Sequence, residues 1–215
     1  MIIQQVIKGI PGLSDTQVQD IFREGILCNW WRNLPTRQLP QDQILRKLTD
    51  RNLDWHQNSY DKPDPLENGQ TFSLNTPYIS TTAGTVTRDL ANKTNTLTPA
   101  WRIALYFATD RWMKDGWLFY CHLFVIGKRA PGLHSFSEEL RELNIYHGFS
   151  LYQPEGEITA KISIPAAQIE RADFWSLKDS QDSLAKQMLP HPSRSLSNPN
   201  FIKTDDISNI RGFLL

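Results

Sequence analysis

Glu155 and Glu157 stand two residues apart in the stretch Ser150-Leu151-Tyr152-Gln153-Pro154-Glu155-Gly156-Glu157-Ile158-Thr159-Ala160. Pro154 and Gly156 punctuate a loop, and Ile158-Thr159-Ala160 begins an alternating, β-prone run. In an extended chain, residues i and i+2 face the same way, with Cβ atoms roughly 6–7 Å apart. Two carboxylates so placed enter one cleft side by side, a costly arrangement unless something cationic comes between them. A pair at this separation leaves room for a nucleophile between the two acids. Two surface acids on a solvated loop are the alternative reading of the spacing alone.

Two further groups of residues have side chains suited to chemistry. Arg32 closes the aromatic run Trp30-Trp31-Arg32, and its planar fork of donors suits a phosphate. A structural ion pair would use the same group. Tyr78-Ile79-Ser80-Thr81-Thr82 is rich in hydroxyls. Ser80 can hydrogen-bond a carboxylate and fix its rotamer, whereas Thr81 and Thr82 can support a sugar pocket or simply favour a strand.

The elements that must position these residues are read in chain order. Residues 1–13 hold Gly9, Pro11 and Gly12 and read as a short irregular lead-in. Ser14-Asp15 caps a helix through Val18, Ile21 and Phe22, and Gly25 ends it. Ile26 to Trp31 reads as a strand with Arg32 at its end. Gln41 to Asp50 has helical spacing at Ile44, Leu45 and Leu48. Residues 54–76 read as a long polar loop. Pro77 to Thr82 is a strand, Gly84 to Thr96 a polar stretch, and Thr98-Pro99 starts a helix from Ala100 to about Met113. Trp117 to Ile126 reads as a central strand. Ser137 opens a helix through Glu138, Leu140 and Leu143. Ile158 to Ile164 is a strand, Pro165 to Ile169 one helical turn, and Glu170 to Leu177 a returning strand. Leu189 to Asn200, rich in Pro, Ser and Asn, reads as extended or mobile. Helices first and short strands afterwards make an α+β protein with a mixed, mainly antiparallel core rather than a doubly wound one.

Composition narrows the function classes. A chain of 215 residues with 40% apolar and 21% charged residues suits one soluble globular domain with appendages. Its 23 basic and 23 acidic residues balance, which argues against nucleic acid as a bulk electrostatic partner. Cys28 and Cys121 lie in apolar runs and read as buried free thiols. With them and five scattered histidines there is no metal-type spacing, and no metal site is expected. No Gly-rich phosphate fingerprint follows a strand. The N-terminus lacks the pattern of a signal peptide and no apolar run approaches a membrane span, so a start in a cytosol is expected, with no membrane partner. Export by a dedicated secretion system would leave no such signal.

In chain order, the arginine after an aromatic run, the strand Ser80-Thr81-Thr82 and the pair Glu155-Gly156-Glu157 resemble mono-ADP-ribosyltransferases of the cholera-toxin and heat-labile-enterotoxin type. That family carries an arginine after an aromatic residue, a Ser-Thr-Ser strand and a Glu-x-Glu pair. The similarity extends to the Ile-Pro turn ending in Gln168-Ile169 and covers about residues 26–178, leaving residues 1–25 as a helical lead-in and 179–215 as an extension. The middle motif departs conservatively, with Thr82 in place of the second serine. The resemblance implies a two-sheet β core cradling NAD as co-substrate, with Arg32 on a phosphate and Ser80, Thr81 and Thr82 lining the nicotinamide-ribose pocket. It implies Glu157 as the catalytic carboxylate, Glu155 as the residue that orients and deprotonates an acceptor arginine, and Tyr152 as a contact to the acceptor protein. A toxin or effector delivered into another cell is the implied setting. Another acceptor side chain such as threonine, a nucleic acid, or water remains open. So do a non-catalytic binding module on the same fold and a glycan-processing enzyme with paired carboxylates.

Overall fold

The structure is a computed structural model and describes residues 2–65, 69–89, 94–125, 136–139, 156–186 and 191–203. Among the described residues, one seven-stranded sheet organises the chain. Its strands are β1 (Ile2–Pro11), β3 (Tyr78–Thr82), β6 (Gly116–Val125), β7 (Phe136–Glu139), β8 (Glu157–Lys161), β10 (Ile169–Trp175) and β11 (Arg194–Ser197), in the order β1-β3-β8-β7-β6-β10-β11. Strand β1 also pairs with β6, so the pairings β1-β3-β8-β7-β6 close into a ring from which β10 and β11 extend. The β6–β7 pair is parallel and the other pairs of this sheet are antiparallel. Two short ladders stand apart: β2 (Ile26–Leu27) with β9 (Ser163–Ile164), and the hairpin β4 (Thr85–Asp89) with β5 (Thr94–Thr98). The α+β class and the mainly antiparallel core agree with the sequence reading.

Residues 2–11 are not an irregular lead-in. They form β1, paired in unbroken register with β6 from Ile2 opposite Val125 to Pro11 opposite Gly116. Gly9, which looks like punctuation in the sequence, is instead where helix α6 (Ala100–Ala108) lies directly on the strand. A Cβ there would sit 2.2 Å from the Ala104 carbonyl oxygen and 2.7 Å from the Ala108 nitrogen. Val6 and Ile7 are adjacent and so point to opposite faces of β1. Val6 joins a core cluster with Phe22, Trp117, Phe119, Ile158 and Ile164, and Ile7 joins a second with Ala104, Leu105, Leu118 and Trp175.

Helix α1 (Asp15–Glu24) forms where expected. Ser14 and Gln17 make a reciprocal capping box, Gly25 at φ 86° ends the helix, and Val18 and Phe22 are buried. Other expectations are corrected. Only Ile26–Leu27 of the aromatic segment is strand. Asn29–Arg32 is a short helix, α2, because the Cys28 sulfur accepts the Trp31 N–H and caps its start. Helix α3 (Gln41–Lys47) stops before Asp50, and the supposed loop holds α4 (Asp50–Asn58) and α5 (Phe72–Asn75). Thr49 caps α4 by accepting the Asn52 N–H. The polar stretch after Gly84 is the β4–β5 hairpin. Phe136–Glu139 is a strand rather than a helix start, while Leu140 and Leu143 lie outside the described residues. The strand that begins at Glu157 breaks at Ile162, whose backbone is left-handed at φ 61°. There the Ile162 N–H donates to Pro77 and its carbonyl accepts from Cys28, tying β3 and α2 to one corner.

Both cysteines are free and buried, as the apolar runs suggested, and burial raises the Cys28 thiol to about 12. Among the described residues no helix is long and apolar enough to cross a membrane.

Candidate active site

Glu157 is the first residue of β8. Gly156, left-handed at φ 56°, turns the chain into the strand, and its carbonyl accepts the Ala83 N–H at 3.1 Å. The register with β3 sets Glu157 opposite Thr82, Ile158 opposite Thr81, and Thr159 opposite Ser80. Glu157 is 7% exposed, yet it lines a cleft together with Ser80, Thr81 and Thr82 from β3. Three of the four residues that the sequence assigned to NAD binding therefore share one cleft with the carboxylate assigned to catalysis.

A buried carboxylate needs partners. His56 on α4 supplies one, with Nε2 3.6 Å from Glu157 Oε1. The same nitrogen lies 2.9 Å from Ser80 Oγ, and Nδ1 lies 2.7 Å from Thr76 Oγ1. Thr76 Oγ1 also accepts the Tyr78 N–H at 3.3 Å, which ties the hydroxyl that holds the ring to the start of β3. Both ring nitrogens are therefore held by hydroxyls, and the ring edge at Nε2 faces the carboxylate. Thr159 completes the set by donating its hydroxyl to Glu157 Oε1 at 3.4 Å. The rings of Tyr60 and Tyr78 hold the imidazole, with centroids 5.6 and 5.7 Å away. Ser80 thus reaches Glu157 through His56 rather than by the direct bond the sequence suggested. Thr81 donates its hydroxyl to the Ile158 carbonyl, bridging β3 and β8, and Thr82 accepts the Gly84 N–H at 3.1 Å, bracing the turn after β3.

The cleft also holds a cation that the sequence reading missed. Lys8 of β1 is half-buried and lines the same cleft as Glu157. Burial holds its ammonium below the ordinary lysine value, while the charges of Glu157 and then Cys121 pull the other way. Asp61, Tyr60 and Gln57 come from the end of α4 and the turn after it, and Phe107 and Arg111 from the end of α6 and the turn after it. Burial and then Asp61 raise the Tyr60 hydroxyl. Lys8 had no clear signal, because Val6 and Ile7 are both apolar, as suits a strand buried on two faces, and Gly9, Pro11 and Gly12 read as punctuation. His56 had none either, since its role comes from a helix crossing 20 residues away from Thr76 and 24 from Ser80.

Arg32 sits elsewhere. It is exposed at the end of α2, is not among the residues lining the cleft, and donates from Nη2 to Asn29 Oδ1 at 2.8 Å. Asn29 in turn donates to the Tyr60 hydroxyl at 3.4 Å and to the Ser73 carbonyl at 2.7 Å. Among the described residues, Arg32 is linked by hydrogen bonds to the cleft rim through Asn29, which reaches Tyr60. Glu155 and Tyr152 lie outside the described residues.

The arrangement suits a ligand with both signs of charge. A buried anion, Glu157, is oriented by His56 and Thr159, and a half-buried cation, Lys8, lies in the same cleft.

No protein-family model matches the chain, and no curated protein does. Solved structures with a similar course of chain include EcPltA, at 14% identity and a TM-score of 0.45, covering 94% of this chain and 87% of that one. Scabin toxin from Streptomyces scabies in complex with NADH is similar at 12% identity and a TM-score of 0.43, covering 94% and 80%. A heat-labile enterotoxin double mutant is similar at 14% identity and a TM-score of 0.41, covering 91% and 62%. Likenesses of this size assign no activity to the chain.

Proposed function

We propose that this chain is an NAD-dependent mono-ADP-ribosyltransferase that transfers ADP-ribose to a protein arginine and releases nicotinamide. The observation that carries the reading is the buried Glu157 carboxylate, oriented by His56 and Thr159, in one cleft with Ser80 and the ammonium of Lys8. The order of the arginine, hydroxyl-strand and Glu-x-Glu motifs supports it independently.

In this reading, the glycosidic bond from the ribose to nicotinamide breaks, its electron pair leaves with neutral nicotinamide, and the ribose becomes an oxocarbenium ion. Glu157 accepts a hydrogen bond from the ribose 2′-hydroxyl and faces the cation, so its stabilisation grows as charge develops. His56 keeps the carboxylate in place. Lys8, a cation lining the cleft, would pair with the pyrophosphate. Glu155 orients the acceptor guanidinium, which stays protonated near neutral pH. It accepts a proton as the new C–N bond forms, a contribution typically worth about 10²–10⁴ in rate. Attack opposite the departing nicotinamide inverts the anomeric carbon.

Incubation with NAD and candidate acceptor proteins, followed by mass spectrometry of the products, tests the acceptor. Modified arginine is the expected result, and a modified nucleobase or another side chain would move the reading to a different acceptor. Glu155→Gln is expected to lose transfer and keep slow NAD hydrolysis. Equal loss of both would contradict the division of roles between the two glutamates.

A further inference from the structure

Helix α6 ends at Ala108, well short of the Met113 that its sequence suggests. Three consecutive non-glycine residues then adopt left-handed backbone: Asp110 at φ 48°, Arg111 at 61° and Trp112 at 66°. Such conformations are strained for residues with a Cβ, and a run of three persists only where the surroundings over-determine it. Here Thr109 does so. Its hydroxyl donates to the Leu105 carbonyl at 2.7 Å and accepts the Trp112 N–H at 3.0 Å, while its carbonyl accepts both the Met113 and Lys114 N–H groups at 2.8 Å. The Arg111 N–H returns to the Tyr106 carbonyl at 2.8 Å. The consequence is that Arg111 lines the cleft beside Phe107, one helical turn earlier.

Two features of this corner are unexplained by packing. Phe107 is 45% exposed although it lines a cleft. The Arg111 guanidinium has no hydrogen bond or ion pair among the described residues. An exposed ring and a planar cation lining one cleft are the chemistry that stacks a nucleobase and holds a phosphate. Charge along the cleft is consistent with this. Glu157 provides the anion for a nicotinamide-ribose end, and Lys8 and Arg111 are the lysine and arginine lining the cleft among the described residues.

We infer that Arg111 and Phe107 form the subsite for the adenosine monophosphate half of NAD, the arginine on its phosphate and the ring against adenine. The inference rests on the proposed function for its ligand, but not for its residues.

Calorimetry on the intact protein with NAD, nicotinamide mononucleotide and ADP separates the two. Arg111→Ala and Phe107→Ala are each expected to weaken NAD and ADP about tenfold, the loss of one charged hydrogen bond or stacked ring. Nicotinamide mononucleotide, which lacks the adenylate half, should change by less than about twofold. Arg111→Gly is expected to lose ADP affinity equally while its thermal midpoint stays at or above that of the parent, because glycine accepts this backbone without strain. Unchanged ADP and NAD affinity in these variants would overturn the inference, as would a parallel loss for nicotinamide mononucleotide. Affinity lost only where the thermal midpoint falls would overturn it too. If Glu157→Ala stops nicotinamide release while Arg111→Ala leaves NAD affinity intact, the proposed function stands and this subsite falls. If ADP binds through Arg111 but NAD is never cleaved, the subsite stands and the proposed function falls. Binding of none of the three ligands overturns both.

Discussion

Burial of Glu157 raises the cost of its charge, and three groups offset that cost: the His56 ring at 3.6 Å, the Thr159 hydroxyl at 3.4 Å and the ammonium of Lys8 across the cleft. Lys8 has the most measurable signature. Its pKa is depressed by burial from 10.5. A phosphate binds the protonated form, so affinity for NAD should fall as pH rises through this lowered value, earlier than for an ordinary lysine. Lys8→Arg, whose guanidinium stays charged, should remove that alkaline limb, whereas Lys8→Met should weaken binding across the whole range. Calorimetric titration between neutral and alkaline pH checks both. His56→Ala should lower nicotinamide release more than NAD affinity, since the ring acts through Glu157. A steady-state comparison of kcat with KM measures this split. At this scale the sequence was partly legible. Ser80, Thr81, Thr82 and Glu157 declared themselves by type, order and β-prone context. Lys8 and His56 did not, because each gains its meaning from a partner distant in the chain.

Helix α6 depends on glycines as much as on its own apolar stripe. A Cβ at Gly9 would meet the Ala104 carbonyl at 2.2 Å, and one at Gly116 would meet the Ala108 carbonyl at 1.8 Å. The helix therefore stops where β6 begins beneath it, and the strained turn at 110–112 carries the chain back. Gly9→Ala should destabilise by about 1–3 kcal/mol or more by overpacking, lowering the thermal midpoint by several degrees. NAD turnover should fall with it, because Lys8 is the next residue. Gly12→Ala is the control: its φ of 68° is left-handed but nothing lies within 4 Å, so only the backbone cost of about 1 kcal/mol applies. Thermal melts of the two variants distinguish a close approach from a turn. The same contrast explains which elements the sequence revealed. Helix α1 carries its own capping box, β6 is mostly apolar and β8 alternates, so local chemistry and fold agree. Strand β1 was obscured because its glycine serves a neighbouring helix, α2 because an aromatic run mimics a strand, and β7 because Ser137 and Glu138 mimic a cap.

Across the molecule, the first and last described strands belong to one sheet. Strand β11 pairs with β10, and Arg194 within it lies over the rings of Trp117 and Phe174 while pairing with Asp15 of α1. Past β11, the Asn198 side chain donates to the Ala166 and Ile169 carbonyls at 2.8 and 2.7 Å, and Asn200 donates to the Phe22 carbonyl at 2.8 Å. None of the residues in this clamp lines the cleft. Asn198→Ala removes both of these bonds, the one to Ile169 buried, and should cost about 1–3 kcal/mol, read as a lower thermal midpoint. NAD turnover per folded molecule should be unchanged.

The central claim is that Glu157 stabilises the cation formed as nicotinamide leaves. Nicotinamide release from NAD by the parent protein and by Glu157→Ala, both confirmed folded, tests it most directly. The expected result is measurable release by the parent and a loss of about 10²–10³-fold or more in the variant, with NAD affinity reduced far less. Release at similar rates in both, or loss explained entirely by weakened NAD binding, would contradict the account.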